Sequence, residues 1–377
     1  MKFFIIGNPS SVWLKEYIKH IHIKQGHEVC VTVFDMADLK FVEEYRKMGV
    51  QFVVLGKNGD KLKRTFKFFR LLFFTYRNKE FDVLEIQSPP HNAQARVLGI
   101  ITKLMDCKTF LMFWGSDILA INSKEAKKLE CIVRCVDVIN RPGEQTYKAF
   151  TTFFGHKYEK LFTKKSLRFG TLALPWIKKT QMACNKTECK KHFGVSADKM
   201  SIAIGYNGSK RQQHLEVINN LSQLSISQKN KLHLIIHFVG YEDLTYEKLL
   251  RDALKNCNIE FTFIDRSLDF SEIAVLRLAT DIFIHAQITD GLSGSIRECL
   301  YAGTIVVNPV WIEYDEFKKI GIEYIEYEKF SELKDIIENC LQGEMTIDLE
   351  KNRELIHNHY SWEAVEGDWN SVFNSMI

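Results

Sequence analysis

The chain has 377 residues, of which 46% are hydrophobic, 12% aromatic and 26% charged. These values are typical of globular proteins and exclude disordered, collagen-like and low-complexity classes, and the length favours two domains. The net charge is +4, but residues 1–175 hold 29 Lys and Arg against 17 Asp and Glu, whereas the remainder holds 22 against 30. This asymmetry predicts halves with different partners, the first facing an anion such as nucleic acid or anionic lipid.

The sequence indicates a cytosolic protein with reduced thiols. No apolar run approaches the ~20 residues that span a bilayer. The N-terminal run, Met1 to Gly7, is too short for a secretory signal and predicts a first strand instead. Nine cysteines are an odd number for a disulfide framework, and their spacings match neither a C-x-x-C redox motif nor a zinc pair.

Short apolar runs alternate with helix-period stretches along the whole chain. The predicted strands are residues 3–6, 28–34, 51–55, 83–87, 109–114 and 136–140 in the first half, then 201–205, 233–239, 260–264, 282–285 and 305–307. The helix-period stretches include 13–25, 38–47, 92–105, 213–221 and 246–256. This alternation predicts an α/β protein with two doubly wound parallel sheets, joined near residues 170–175. Ligands of such sheets bind beyond the carboxyl ends of the strands, so we expect the site in a cleft between the two domains.

Polar loops follow three predicted strands of the first domain. Gly7 and Asn8 follow the first strand, His91 lies in the Gln-Ser-Pro-Pro-His run after a second, and Asp117 ends the Trp-Gly-Ser-Asp turn after a third. His91 has the chemistry of a general base or acceptor contact, although a lone loop histidine is also typical of polar surface. Asp117 is also a plausible helix N-cap. Because three such ends meet at one sheet edge, we expect this edge to be part of a site.

Residues 57–79 combine cations with bulky apolar side chains. Eight cations face only one acid, Asp60, and the interleaved residues are aromatic or leucine. The cations are Lys57, Lys61, Lys63, Arg64, Lys67, Arg70, Arg77 and Lys79. Such a helix is typical of membrane surfaces. The alternative is an ordinary amphipathic helix that packs its phenylalanines on a sheet and leaves its lysines in water.

A loop with adjacent cations opens the second domain, after the predicted strand 201–205. Its residues are Gly205, Tyr206, Asn207, Gly208, Ser209, Lys210 and Arg211. The guanidinium and the ammonium can clamp a diphosphate and neutralise the charge of a departing nucleotide. A solvated turn is the alternative, but the position at the first strand–helix turn favours binding. The loop is neither a Walker motif nor a G-x-G-x-x-G fingerprint, which weakens the case for a P-loop ATPase or a classical dehydrogenase.

The strongest constellation lies between the predicted strands 282–285 and 305–307. Its loop is Asp290, Gly291, Leu292, Ser293, Gly294 and Ser295, and Glu298 follows in a helix that Gly303 closes. The glycines allow close backbone approach, the serines supply hydroxyl groups, and the helix N-terminus favours phosphate. Asp290 can reach sugar hydroxyls and Glu298 a ribose diol. Ser295 and Glu298 also fit a capping box, which explains neither Asp290 nor the glycines.

These residues resemble the two-Rossmann-domain (GT-B) glycosyltransferases, above all the large retaining family four, over almost the whole chain. The resembling segments are Gly26-His27-Glu28-Val29, Trp114-Gly115-Ser116-Asp117, residues 188–195, the block 289–308 and Tyr360-Ser361-Trp362. Asp290 stands where most members have glutamate, and Trp114 where they have a histidine near the reacting centre. The loop 205–216, with His214 and Glu216, looks somewhat like 4-acetamido-4,6-dideoxygalactose (Fuc4NAc) transferases, which invert, so the stereochemistry stays open.

The resemblance implies a domain 1–170 for the acceptor, a domain 171–358 for the nucleotide sugar and a helix 359–377 that returns to the first. By resemblance, Lys210 and Arg211 hold the diphosphate, the loop from Asp290 to Ser295 the sugar and phosphates, and Glu298 the ribose. The expected reaction is metal-independent sugar transfer to a glycan acceptor, since no acidic D-x-D pair stands where it would suit a phosphate-bound metal. No cofactor is expected.

The resemblance also implies a role for segment 57–79. This segment would dock on an anionic membrane that bears a lipid-diphosphate-linked glycan, as in bacterial O-antigen or capsule assembly. A sugar-nucleotide epimerase of the same architecture is the first alternative, but it needs no membrane surface. A non-catalytic nucleic-acid binder is the second, although the second half is acidic and no recognisable RNA- or DNA-binding motif is present, so we expect no nucleic acid partner.

Overall fold

The chain forms two α/β units in the computed structural model, which describes residues 1–33, 39–54, 69–75, 77, 80–141, 143–240 and 243–376. Unit 1 comprises Met1–Gly170 and Trp362–Ile377, and unit 2 comprises Thr171–Ser361. Each unit is built on one parallel sheet, of seven strands in unit 1 and six in unit 2. The prediction of two doubly wound parallel sheets is confirmed.

Unit 1 has the strand order β3-β2-β1-β4-β5-β6-β7. The strands are β1 (Lys2–Ile6), β2 (Glu28–Val33), β3 (Gln51–Val54), β4 (Val83–Gln87), β5 (Lys108–Met112), β6 (Val138–Arg141) and β7 (Phe162–Ser166). The helices are α1 (Val12–Tyr17), α2 (Leu39–Lys47), α3 (Gln94–Leu104), α4 (Ser116–Leu119), α5 (Ser123–Val133) and α6 (Glu144–Phe154), and residues 69–75 are also helical. The order reverses at β1 and β4, so the loops after these strands lie at a topological switch point.

The C-terminal helix α17 (Trp362–Met376) packs within unit 1. The ring of Phe373 lies 5.0 Å from that of Phe3 in β1 and 5.6 Å from that of Phe110 in β5. Trp369, which is fully buried, donates its indole N–H to the Arg168 carbonyl at 2.8 Å. Successive side chains of a strand point to opposite faces of the sheet. These contacts therefore place α17 on the face to which Phe3 points.

Unit 2 has the strand order β10-β9-β8-β11-β12-β13. The strands are β8 (Met200–Ile204), β9 (Leu232–His237), β10 (Glu260–Ile264), β11 (Ile282–Ile284), β12 (Ile305–Pro309) and β13 (Ile325–Tyr327). The helices are α7 (Leu174–Ala183), α8 (Lys186–His192), α9 (His214–Leu221), α10 (Ile226–Lys229), α11 (Leu244–Asn256), α12 (Phe270–Ala279), α13 (Gly294–Ala302), α14 (Asp315–Ile320), α15 (Leu333–Gln342) and α16 (Leu349–Tyr360). The order reverses at β8 and β11, so the two predicted ligand loops follow adjacent strands at the switch point.

One helix and two strands of the structure differ from the predicted elements. The helix predicted over 13–25 begins as α1 but continues as a π-helical segment, Ile18–His22, and a 3₁₀ turn, Ile23–Gln25. The sequence patterns do not predict β7 or β13, which are edge strands. An edge strand is half solvated, and β7 exposes Lys164 and Lys165, so it lacks a continuous apolar run.

Much of the basic segment 57–79 lies outside the described residues. Its cations Lys57, Lys61, Lys63, Arg64, Lys67 and Lys79 are among those outside. Of the described part, Leu71 is buried, whereas Phe69 and Phe73 are exposed. Within the described ranges, no helix has both the length and the apolar character that crossing a bilayer requires.

Candidate functional site

The loop after β11 runs from His285 to Ser293 and ends at the N-terminus of α13. Ser293 caps this helix, its Oγ accepting the backbone N–H of Ser295 at 3.1 Å. Leu292 has a φ of +76°, a left-handed conformation that is unfavourable for a branched side chain. Backbone strain of this kind persists where the surroundings fix it, and it is concentrated at functional sites. The first N–H groups of α13 therefore face a rigidly held loop.

Asp290 is the anchor of this loop. Its carboxylate is buried, with a 7% exposed side chain, and Oδ2 accepts the backbone N–H of Ser293 at 2.8 Å and the hydroxyl of Tyr314. The hydroxyl of Tyr206 lies 3.4 Å from Oδ1. Burial, reinforced by the charge of Asp290, raises the pKa of Tyr314 well above its usual range, so Tyr314 remains a donor. Hydrogen bonds to a charged acceptor are the strong ones, and they fix the carboxylate in one orientation.

His285 lies between these two tyrosines. Its ring is 6.1 Å from that of Tyr206 and 6.3 Å from that of Tyr314, with interplanar angles of 18° and 23°. Its Nδ1 is 2.9 Å from Oδ1 of Asn308. Burial lowers the pKa of His285, so the ring is neutral at pH 7 and stacks with the two tyrosines that contact Asp290.

Glu298 lies one turn inside α13 and is held by a cation. Arg277, from α12, donates to Glu298 Oε2 through Nε and Nη2, both at 3.1 Å, and to the Ser295 hydroxyl at 3.0 Å. Both partners of the ion pair are buried. The capping box between Ser295 and Glu298 does not form, because Ser293 is the N-cap. Ser295 and Glu298 are instead both held by Arg277, which fixes the first turn of α13.

The second predicted loop follows β8. Gly205 has a φ of +64°, and a Cβ there would lie 2.8 Å from Nε2 of His214, so only glycine fits. A Cβ on Gly208 would lie 3.1 Å from the Phe238 ring. Oδ1 of Asn207 accepts the backbone N–H of Ser209 at 2.9 Å. Ser209 in turn accepts that of Arg211 at 3.2 Å, which shapes a short 3₁₀ turn that presents both cations.

The structure brings the two loops together. The backbone N–H of Ile288 donates to the Arg211 carbonyl at 3.0 Å, and the Arg211 guanidinium donates to the Thr289 hydroxyl. Lys210 forms an exposed ion pair with Asp243 at 2.7 Å. The arginine and the N-terminal loop of α13 thus share one edge of the sheet. Phosphate groups are bound by this combination of cations, N–H groups and helix dipole.

His214 supports the base of the second loop. Its Nδ1 lies 3.1 Å from the Tyr246 hydroxyl, and burial lowers its pKa to about 4, so the ring is neutral at pH 7. Its ring therefore contributes no charge to a phosphate site. Glu216 follows in the first turn of α9.

In unit 1, the loops after β1, β4 and β5 meet at one sheet edge. A Cβ on Gly7 would lie 3.0 Å from the Gln87 side chain, and the Trp114 indole N–H donates to Gln87 Oε1 at 2.8 Å. Asn8 instead closes its own turn, accepting the Ser10 backbone N–H at 3.1 Å. His91 is directed to Glu125, with 3.5 Å between Nε2 and Oε1. The loops after β1, β4 and β5 therefore come together around Gln87, whereas His91 faces the carboxylate of Glu125.

A buried polar chain extends from this edge into unit 1. Gln87 donates to Glu85 at 3.0 Å, and Glu85, which is fully buried in β4, accepts the Tyr17 hydroxyl at 3.1 Å. The sequence pattern did not reveal this chain, although a glutamate inside an otherwise apolar strand is a signal that could have found it. Through it, the Trp114 ring is held in a fixed orientation.

Asp117 is buried beside Trp114. Its carboxylate accepts the backbone N–H groups of Trp114 at 3.1 Å and Gly115 at 2.9 Å. It lies inside the first turn of α4, so the N-cap interpretation is wrong. Burial raises the pKa of Asp117 to about 6, against the opposing effect of these hydrogen bonds. The side chain therefore organises the Trp-Gly-Ser-Asp turn and changes charge in mildly acidic solution.

The raised pKa of Asp117 predicts that the free energy of unfolding depends on pH. Because the folded pKa exceeds the unfolded one, the folded state binds the proton more tightly, and stability falls as the pH rises from about 4 to above 6. The shift of roughly two units corresponds to about 3 kcal/mol. Between about pH 4.5 and 7, which covers roughly two thirds of this range, we expect the free energy of unfolding of Asp117→Asn relative to wild type to rise by about 2 kcal/mol. Urea titrations at both pH values measure it, and a constant difference would refute the assignment.

Comparisons with known proteins give the fold. No family model and no curated protein sequence matches the chain. Solved structures match over its whole length. HepE from Anabaena in complex with UDP-glucose has a TM-score of 0.74, 15% identity and 100% coverage of both chains. A glycosyltransferase from Rickettsia africae has a TM-score of 0.77, 13% identity and coverage of 100% of this chain and 98% of that chain. Sucrose-phosphate synthase from Thermosynechococcus elongatus has a TM-score of 0.71, 11% identity and the same coverage. The chain therefore has the GT-B fold, as its motifs predicted.

Proposed function

We propose that this protein is a glycosyltransferase that moves a sugar from a nucleotide diphosphate sugar to a hydroxyl of a glycan acceptor. The observation that carries the proposal is the junction of the two loops of unit 2, where Ile288 binds the Arg211 backbone and Arg211 binds Thr289. This junction sets a guanidinium on the loop that leads to the N-terminus of α13, an arrangement suited to a diphosphate. The GT-B fold shared with a UDP-glucose complex supports the same donor class.

Different residues of unit 2 bind different parts of the donor. Lys210 and Arg211 hold the diphosphate, and the loop from Asp290 to Ser295, through Gly291, Leu292, Ser293 and Gly294, holds the sugar and phosphates. Glu298, aligned by Arg277, binds the ribose diol. The ion pair of Lys210 with Asp243 is exposed and costs little to exchange for a phosphate, because exposed pairs contribute about 0–1 kcal/mol.

In the reaction, the bond between the anomeric carbon and the diphosphate oxygen breaks, and its electron pair leaves with the nucleotide. The acceptor oxygen forms the new bond to the anomeric carbon and passes its proton to an oxygen of the leaving diphosphate. Charge grows on the leaving diphosphate, where Lys210, Arg211 and the α13 N-terminus stabilise it without a metal ion or cofactor. We propose that the anomeric configuration is retained, as in the family that the motifs resemble.

The acceptor side is proposed from unit 1. Gly7, Asn8 and His91 lie on the loops after β1 and β4, Asp117 lies in the first turn of α4 after β5, and the Trp114 indole donates to Gln87 at the end of β4. We assign the acceptor as a lipid-diphosphate-linked glycan of bacterial O-antigen or capsule assembly. The protein then works at the inner face of the cytoplasmic membrane, with segment 57–79 on anionic lipid.

The donor site is tested by thermal unfolding with a panel of nucleoside diphosphates and their sugars. At about 100 times its dissociation constant, a bound nucleotide adds about 2.7 kcal/mol, which raises the melting temperature by roughly 5 to 11 °C. We expect such a rise with one nucleoside diphosphate and its loss in the Lys210→Ala/Arg211→Ala variant. The matched control is Lys248→Ala/Lys255→Ala, which removes two exposed cations of α11 in the same unit. No rise with any nucleotide would reject the proposal.

The epimerase alternative differs in its product. An epimerase converts the nucleotide sugar to an isomer without an acceptor, whereas the proposed transferase leaves the sugar of the donor unchanged until an acceptor hydroxyl is supplied. Chromatography of the selected nucleotide sugar after incubation with the protein separates the two. Accumulation of an isomeric nucleotide sugar would favour the epimerase.

A further inference from the structure

One face of the unit 1 sheet is covered by several helical segments. Alternate strand residues, among them Phe4, Leu84 and Leu111, point to this face and form one buried cluster. Leu71 of the segment 69–75 and Leu98 of α3 belong to the same cluster, as does Leu129 of α5. These three segments, together with Arg77, are called the outer helix layer below. Their opposite sides point away from the sheet.

Helix α3 presents an unusual stripe on its outward side. Arg96, Ile100, Lys103 and Leu104 are exposed, at positions spaced by three and four residues, which share one helix face. Ile100 is 52% exposed and Leu104 is 41% exposed. The core-facing side of α3 is already filled by other residues, such as Leu98 and Ile101, so the outward apolar pair has no role in the core of unit 1.

Segment 69–75 and Arg77 repeat this pattern. Phe69 is 64% exposed and Phe73 is 58% exposed, whereas Leu71 and Thr75 on the other side are fully buried. The Arg77 guanidinium lies 4.6 Å from the centre of the Phe73 ring. Two neighbouring segments in sequence order thus each direct two large apolar side chains and their cations away from the sheet.

The charge of the outer helix layer is one-sided. No acidic residue occurs in the sequence between Lys61 and Lys79 or within α3. In α5, Lys124 and Lys127 are exposed, while Glu125 caps the helix at Asn122 and Glu130 pairs with Lys157 at 2.8 Å. A surface with exposed apolar side chains between cations, and with its acids already engaged, complements an anionic lipid headgroup layer.

We propose that the outer helix layer is a membrane-docking surface, in which α3 inserts Ile100 and Leu104 beside Phe69 and Phe73. The apolar side chains enter the boundary between headgroups and acyl chains, and Arg96, Lys103 and the α5 lysines bind anionic headgroups. This deepens the membrane part of the proposed function by adding a second helix and by setting which face of unit 1 lies on the bilayer. It depends on no step of sugar transfer.

The test is sedimentation of the full chain with vesicles of phosphatidylcholine alone and with about 30% phosphatidylglycerol. We expect binding to the anionic vesicles only, weakened by salt. We expect Ile100→Ser/Leu104→Ser and Arg96→Glu/Lys103→Glu each to lower the affinity at least about tenfold. The matched control, Lys248→Glu/Leu249→Ser, alters an exposed lysine and an exposed leucine of α11 and should bind as wild type does.

Three outcomes would overturn the proposal: no binding to anionic vesicles, equal losses in the control variant, or salt-sensitive binding to RNA with indifference to vesicles. Melting temperatures of all variants, which should equal that of the wild type because the changed side chains are exposed, establish that each is folded. Nucleotide-induced stabilisation, measured on the same samples, reports unit 2 separately. Docking with no nucleotide response would reject the transferase, and the reverse would reject the docking surface alone.

Discussion

Replacing Arg277 with leucine is expected to lower the free energy of unfolding by about 3–5 kcal/mol, because it leaves the Glu298 carboxylate buried without its cation. Arg277 and Glu298 are both less than a tenth exposed, and the guanidinium makes two contacts of 3.1 Å to one carboxylate oxygen. It also holds the Ser295 hydroxyl at 3.0 Å. Loss of the arginine therefore loosens the first turn of α13 as well as destabilising unit 2.

Thermal unfolding measures this effect as a fall of roughly 6 to 20 °C in melting temperature. The control is Arg277→Leu/Glu298→Leu, which removes both charges. Since a buried pair often contributes little over apolar residues of similar size, we expect the double variant to recover most of the lost stability. Equal destabilisation of the single and double variants would show that packing, rather than an unpaired charge, dominates at this position.

The sequence predicts most of the strands and both ligand loops, because their signals are local. An apolar run followed by glycine, hydroxyl side chains and a helix start is contained within residues 282–303, and the Lys210-Arg211 loop has the same form. Parallel strands put such loops at a common edge, so the topology then makes them neighbours. The strands β7 and β13 have no equivalent local signal, because exposed charged residues interrupt them, Lys164 and Lys165 in β7 and Glu326 in β13.

The partners that hold these loops are distant along the chain and carry no local signal. Tyr314 is 24 residues from Asp290, and Tyr206 is 84 residues away. Arg277 is 21 residues from Glu298 and lies within an otherwise apolar helix pattern. Such contacts depend on how the loops and helices pack against one another in three dimensions, which local patterns of the sequence do not reveal.

The same tyrosines suit an aspartate at position 290, where the resemblance leads us to expect a glutamate. An aspartate is shorter by one methylene, so its carboxylate stays closer to its own backbone. Here it accepts the Ser293 N–H at 2.8 Å, and the Tyr314 hydroxyl reaches it from another loop. The aspartate therefore joins the 289–295 loop to the residues after β12, which stiffens the proposed sugar site.

Replacing Arg211 with alanine is expected to lower the rate of sugar transfer about 10²–10³-fold, equivalent to about 3–4 kcal/mol of transition-state stabilisation. The guanidinium hydrogen-bonds to the Thr289 hydroxyl, so it is already aimed at the loop that precedes α13. Charge on the diphosphate increases as the sugar bond breaks, and a preorganised cation stabilises that state more than the bound donor. We therefore expect kcat to fall more than KM rises.

Steady-state assays with the donor selected by the thermal panel measure the two constants separately. Arg251→Ala is the matched control, because Arg251 lies in the same unit but pairs with Glu247 and Asp265, each at 2.8 Å. Arg211→Lys keeps the charge but loses the planar fork, so we expect an intermediate rate. A rise in KM with kcat unchanged would mean that Arg211 binds donor and transition state equally, and its role would then be binding alone.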